Sequence, residues 1–141
     1  MKKNILLIIM LFNSVLAFSN EVKVKILNVK TNEGKITLSI HSSKESFKKH
    51  IPEYTIVLES SDSEIETIIS LPDGEYAFCI FQDLNNDNKL NTNLVGIPKE
   101  PFGFSNYNGS SVPGNFEKHK VIINKDTEVS IALFKYSGTD L

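Results

Sequence analysis

From Val22 onward, apolar and polar residues alternate. Lys23 and Lys25 separate Val22, Val24 and Ile26, and Thr37 and Ser39 separate Ile36, Leu38 and Ile40. A period of two turns one face of each segment inward, so the spacing predicts two strands. Between them Thr31, Asn32, Glu33 and Gly34 predict a hairpin turn, because Asn and Gly accept positive φ. Segments 54–60 and 65–71 read as a second pair, joined around residues 60–63. Pro72, Asp73 and Gly74 then turn the chain into segment 75–81, whose alternating faces are both apolar. A central strand covered on both sides has that composition. Segments 120–124 and 127–134 complete a set of about seven strands. Only residues 44–50 read as helical, for one or two turns. Short strands with a turn signal roughly every ten residues predict an all-β fold, an antiparallel sandwich of two sheets.

The start of the chain follows a different pattern. Lys2 and Lys3 precede an apolar run over residues 5–16, and Ala17 and Ser19 are small residues at the positions a signal peptidase reads. The expected organisation is a signal peptide over 1–19, cleaved after Ser19, and a single domain over 20–141. The run is shorter than the ~20 residues a bilayer crossing needs, so no membrane span is expected in the mature form. No cysteine follows the run to be acylated. The expected location is secreted or periplasmic.

Composition removes several function classes. The chain has 141 residues, 40% hydrophobic and 23% charged, as one globular domain requires. Each of its 15 basic residues is Lys, which leaves no bidentate guanidinium for phosphates or base edges, and no nucleic-acid role is expected. A single cysteine excludes an internal disulfide and a Cys-rich zinc site. Lying in the central strand, Cys79 is expected to be buried and inert. His41, His50 and His119 share no metal-ligand spacing and read as solvated or edge residues. There is no P-loop, dinucleotide fingerprint or nucleophile elbow.

The informative segment is the connection over 83–118, far longer than the ~12 to 15 residues usual for unstructured loops. Its first part places oxygen side chains at Asp83, Asn85, Asp87 and Asn91, with the Lys89 carbonyl between them. Alternate oxygens on a curled loop suit a weakly bound Ca²⁺, which takes carboxylates, amides and carbonyls together. Asn88 stands where such loops turn sharply, and Glu100 is a further candidate ligand. Leu94 replaces the bidentate Glu of an EF-hand, and no helices flank the loop, so an EF-hand is excluded. The alternative is an Asx-rich turn without metal. The second part carries Phe102, Phe104, Asn106 and Tyr107, read either as a platform for a peptide or glycan or as a packed Ω-like loop.

The motifs Leu71-Pro72-Asp73-Gly74-Glu75-Tyr76, the run 83–93, and the run 96–106 from Gly96-Ile97-Pro98 to Ser105-Asn106 together resemble a family of secreted bacterial proteins catalogued as domain of unknown function 2141. The resemblance spans residues 21–135. It implies an exported Ig-like or transthyretin-like (prealbumin-like) β-sandwich and no established activity. Gln82 stands where the family often has His, and Asn91 where it often has Asp, which removes one charge from the loop. The expected function is a calcium-stabilised binding or structural module of the cell envelope, more a binder than an enzyme, with an envelope protein, peptide or glycan as partner. The alternatives are an envelope-assembly subunit that pairs through a sheet edge, and a hydrolase using Asp83 and Asp87 with His119 or Glu100.

Overall fold

The computed structural model describes residues 18–136, so the expected leader lies outside the described residues except for Phe18 and Ser19. The strands are β1 (Ser19–Leu27), β2 (Lys35–His41), β3 (Tyr54–Glu59), β4 (Ile65–Pro72), β5 (Gly74–Asp83), β6 (Phe102–Phe104), β7 (Lys120–Ile123) and β8 (Thr127–Ala132). Two short helices join them, α1 (Lys44–Lys49) and α2 (Phe116–His119). One sheet has the order β4-β1-β8. The other runs β3-β2-β5-β6, with β7 also paired to β5. The inward positions of both sheets form one core, in which Val22, Val24, Ile26, Leu38, Ile40 and Phe78 are 0% exposed.

The strands lie where the alternation puts them, but the expected hairpins do not form. β1 pairs with β4 and β8, whereas β2 pairs with β3 and β5. The links β1–β2, β3–β4 and β4–β5 therefore cross between sheets. Asn32 and Gly34 do take positive φ, 59° and 60°, yet they turn a corner. Gln82 holds that corner. Fully buried, its amide accepts from Lys30 N at 2.9 Å and donates to the carbonyls of Lys30 at 2.7 Å and Glu33 at 2.6 Å. Gly34 packs so tightly that an added Cβ would lie 1.9 Å from the Asp83 carbonyl oxygen. A second departure is that β1 and β8 run parallel, because β8 reaches the first sheet by a crossover from β7.

β5 is central in its sheet, as its two apolar faces require. Phe78 and Ile80 face the core, while Cys79 and Phe81, in register with Ser39 and Thr37 of β2, lie on the outer face. The connection after β5 covers that face. It is not structureless: Phe102–Phe104 adds a strand to β5, and Phe102 and Phe134 exchange backbone hydrogen bonds of 2.9 and 2.8 Å. Gly103 permits this return, since a Cβ there would lie 2.1 Å from the Ala132 carbonyl oxygen. α1 lies on the same face. Its N-cap Ser43 accepts from Ser46 N at 3.1 Å, and His50, at φ 55°, ends it in the left-handed region. Glu117 ties the helices together through Lys44 at 2.9 Å, and reaches Lys120 at 2.8 Å.

Truncating the central core aromatic should be costly and truncating an exposed one should not. Phe78→Ala is expected to destabilise by about 3 to 5 kcal/mol. Ile68→Ala, at a position 58% exposed, should stay within about 0.5 kcal/mol in the same urea titration.

Candidate functional site

The loop after β5 is built around two carboxylates. Asp83 is 2% exposed and accepts from Asp87 N at 3.2 Å and Asn88 N at 2.8 Å, which curls the next five residues over it. Asn86 and Asn88 take φ of 56° and 62°, conformations that Asn tolerates better than most residues. Glu100 is 4% exposed and closes the loop, one oxygen accepting from Leu84 N at 2.9 Å and the other from Asn91 N at 3.1 Å. Asn85, Asp87 and Asn91 converge at the mouth. The Asn85 amide donates to Asn91 at 2.9 Å and Asp87 at 3.2 Å, and the Asn91 amide donates to Asp87 at 2.8 Å. That last bond leads the interactions that hold the Asp87 carboxyl below the usual carboxylate range.

Asp83, Asn85, Asp87, Asn91 and Glu100 carry oxygen atoms of the kind a hard cation takes. Asp83 and Glu100 are buried, and neither makes an ion pair among the described residues. Backbone amides satisfy part of their hydrogen-bonding capacity but supply no net charge. No group of three His, Cys, Asp or Glu side chains converges among the described residues, so a cation here would depend on the amides of Asn85 and Asn91 and on backbone carbonyls, as Ca²⁺ coordination allows. Lys89 is exposed, and its backbone N donates to Asp87 at 2.9 Å.

The expected aromatic platform is rearranged. Phe102 is 2% exposed, so its ring is not open to a ligand. Phe104 stacks on His119 with centroids 4.8 Å apart, and Tyr107 meets Phe104 edge-on at 5.8 Å. Asn106 is exposed at φ 56° and donates to the Lys120 carbonyl at 3.0 Å. These rings pack against one another because the outer face of β5 needs a cover. Two histidines expected at the surface belong to the same layer: His41 is 4% and His119 2% exposed. His119 Nδ1 pairs with the Ser105 carbonyl at 2.9 Å, and Nε2 accepts from Gly114 N at 2.9 Å. That fixes a neutral tautomer and commits both ring nitrogens. It also leaves His119 no free ring nitrogen with which to serve as the base of the hydrolase alternative.

A family model described as "Uncharacterized protein conserved in bacteria (DUF2141)" matches residues 24–131. The chain belongs to that family. The match begins within β1 and ends within β8, so most of both sheets, the carboxylate loop and the aromatic layer of this DUF2141 protein fall inside it. No curated protein and no solved structure matches the chain.

The histidines give the DUF2141 domain a pH dependence. Burial holds both His41 and His119 below the ordinary value of 6.5. The unfolded chain therefore takes up these protons at higher pH than the folded one. Their stabilising contribution is complete above about pH 6.5 and is lost as pH falls from there toward the depressed folded values. The melting temperature should drop between pH 7.5 and 5.5. In His119→Gln, which cannot titrate, the drop should shrink to what His41 leaves. An equal drop in the variant would assign the pH dependence elsewhere.

Proposed function

We propose that the protein is an exported, calcium-stabilised β-sandwich module of the bacterial envelope that binds a partner and has no catalytic role of its own. The observation that carries the calcium reading is the pair of buried carboxylates, Asp83 and Glu100, flanking a mouth of Asn85, Asp87 and Asn91 with no cationic side chain paired to them among the described residues. With Asp83 and Asp87 as the charged groups of the run, affinity of the extracellular kind is expected, ~10⁻⁴ to 10⁻³ M. Such a cation would stiffen the connection between β5 and β6.

Export is supported by Lys2 and Lys3, the apolar run over 5–16, and the small residues Ala17 and Ser19. Intact mass of the protein recovered from its native cells should correspond to a chain beginning at Asn20. An intact Met1 in that fraction would sink the export reading.

A second reading, an assembly subunit, rests on β3. That strand is the outer edge of its sheet, carries neither Lys nor Pro, and leaves Val57 53% exposed. Edges without such guards are open to strand addition from another chain.

The calcium reading is tested by thermal melts. At ten times the dissociation constant, Ca²⁺ should add about 1.4 kcal/mol, or about 5 °C in melting temperature for a domain of this size. Asp87→Asn keeps the size of the side chain and removes its charge. It should lose most of the calcium shift, measured against its own melt in EDTA, which should fall a little because Asp87 accepts from Asn91, Asn85 and Lys89 in the metal-free loop. No shift in the wild type at 10 mM Ca²⁺ would return the loop to an Asx-rich turn.

A further inference from the structure

A cavity of about 590 Å³ opens on the outer face of the five-stranded sheet. Its floor is the register row Ser39, Cys79 and Phe104 with Phe81 beside it, and one wall is Phe47 of α1. Leu90 and Thr92 of the carboxylate loop line it as well. The volume lies within the ~300 to 1,000 Å³ typical of small-molecule sites. No Lys, Asp or Glu lines it. Two imidazoles line it: the exposed His50, and His41, which is 4% exposed and bonds Ser46 Oγ at 2.8 Å through Nδ1 while its Nε2 has no partner among the described residues. Among those residues no fully buried side-chain nitrogen or oxygen lacks a partner. Nε2 therefore keeps some accessible surface, and His41 is one of the residues lining this cavity. Cys79 is half-buried at the floor, facing this cavity instead of the core, and its apolar surroundings push the thiol up to about 12.

We propose that this cavity is a binding site for a small, uncharged, largely aromatic molecule carrying one hydroxyl or comparable group to meet His41 Nε2. Chemistry selects that class. A charged ligand would lose its hydration and find no Lys, Asp or Glu on the walls to pair with. A sugar would bring many hydroxyls to a site whose polar side chains are chiefly Ser39, Thr92 and the imidazoles of His41 and His50. An aromatic ring, by contrast, meets Phe47, Phe81 and Phe104, of which Phe47 and Phe104 already pack at a tilt with centroids 6.1 Å apart. A hydroxyl can donate or accept, so it suits Nε2 in either tautomer that the Ser46 contact permits.

The chain has no tryptophan, so naphthyl fluorescence can be read without overlap. The probes are 2-naphthol, naphthalene and 2-naphthalenesulfonate, titrated into the protein from Asn20 onward. Titration in EDTA keeps the result separate from the calcium reading. Saturable one-to-one binding of 2-naphthol is expected, at least tenfold weaker for the sulfonate. Ser39→Phe, which places a ring in the floor, should weaken 2-naphthol binding tenfold or more while the melt shows an intact fold. His41→Phe should abolish the preference for 2-naphthol over naphthalene. No saturable binding by the wild type, or unchanged binding by a folded Ser39→Phe protein, overturns the proposal. If Ser39→Phe does not fold, Leu90→Trp serves instead: saturable quenching of its indole by 2-naphthol supports the site, and no quenching overturns it.

Discussion

β5 is apolar on both faces, and that one constraint organises the rest of the domain. Phe78 and Ile80 use the first sheet as their cover. Cys79 and Phe81 point the other way and need a second cover, which a two-layer sandwich lacks on its outer side. α1 and the connection over 83–118 supply it. Phe47, Phe104, Phe116 and His119 form a layer of rings with centroids 4.8 to 6.3 Å apart. The connection is long because it must turn away from β5, return as β6 along its edge, and still deliver α2 to the same face.

Polar side chains fasten this cover at its two ends. At the loop end, Gln82 and Asp83 are neighbours with opposite duties: Gln82 bonds the β1–β2 corner, and Asp83 curls the loop. Pro101 O accepts from Gln82 N at 2.8 Å, which draws the returning chain to the same point. At the other end Ser105, 0% exposed, accepts from Phe78 N at 3.0 Å and donates to the His119 carbonyl. Buried polar groups this well satisfied specify one arrangement of the chain, since each leaves a costly orphan if its partner moves.

Period-two alternation made the strands legible almost residue by residue, because burial on one face is a local constraint written into each segment. It did not disclose which strands pair. The corner at Asn32 and Gly34 has the turn chemistry of a hairpin, and the contacts that make it a crossover, Gln82 and Ser60, lie 26 or more residues away. β6 was hidden for a related reason: a three-residue strand containing Gly103 is too short to show a period. Asp83 and Asp87 were visible from spacing, as was the turn at Asn88, whereas the role of Glu100 as a clamp on two backbone amides depends on the return of the chain. His41 and His119 were misread because neither flanking sequence shows that the ring will be covered by residues from another segment.

The two candidate sites share a wall. Leu90 and Thr92 line the cavity and belong to, or directly follow, the run that Asp83 and Glu100 hold in place. Asn91 sits between them, with its backbone N on Glu100 and its side chain at the mouth with Asp87. Any ion that draws Asn91 toward Asp83 and Asp87 therefore acts on the position of the two flanking side chains, because a residue fixed at backbone and side chain leaves its neighbours little freedom. Phe47, which also lines the cavity, is held by the capped α1 and its tie to Glu117. One part of the lining is thus fastened by ion pairs and packing, and another by a loop whose buried carboxylates lack a paired cationic side chain among the described residues.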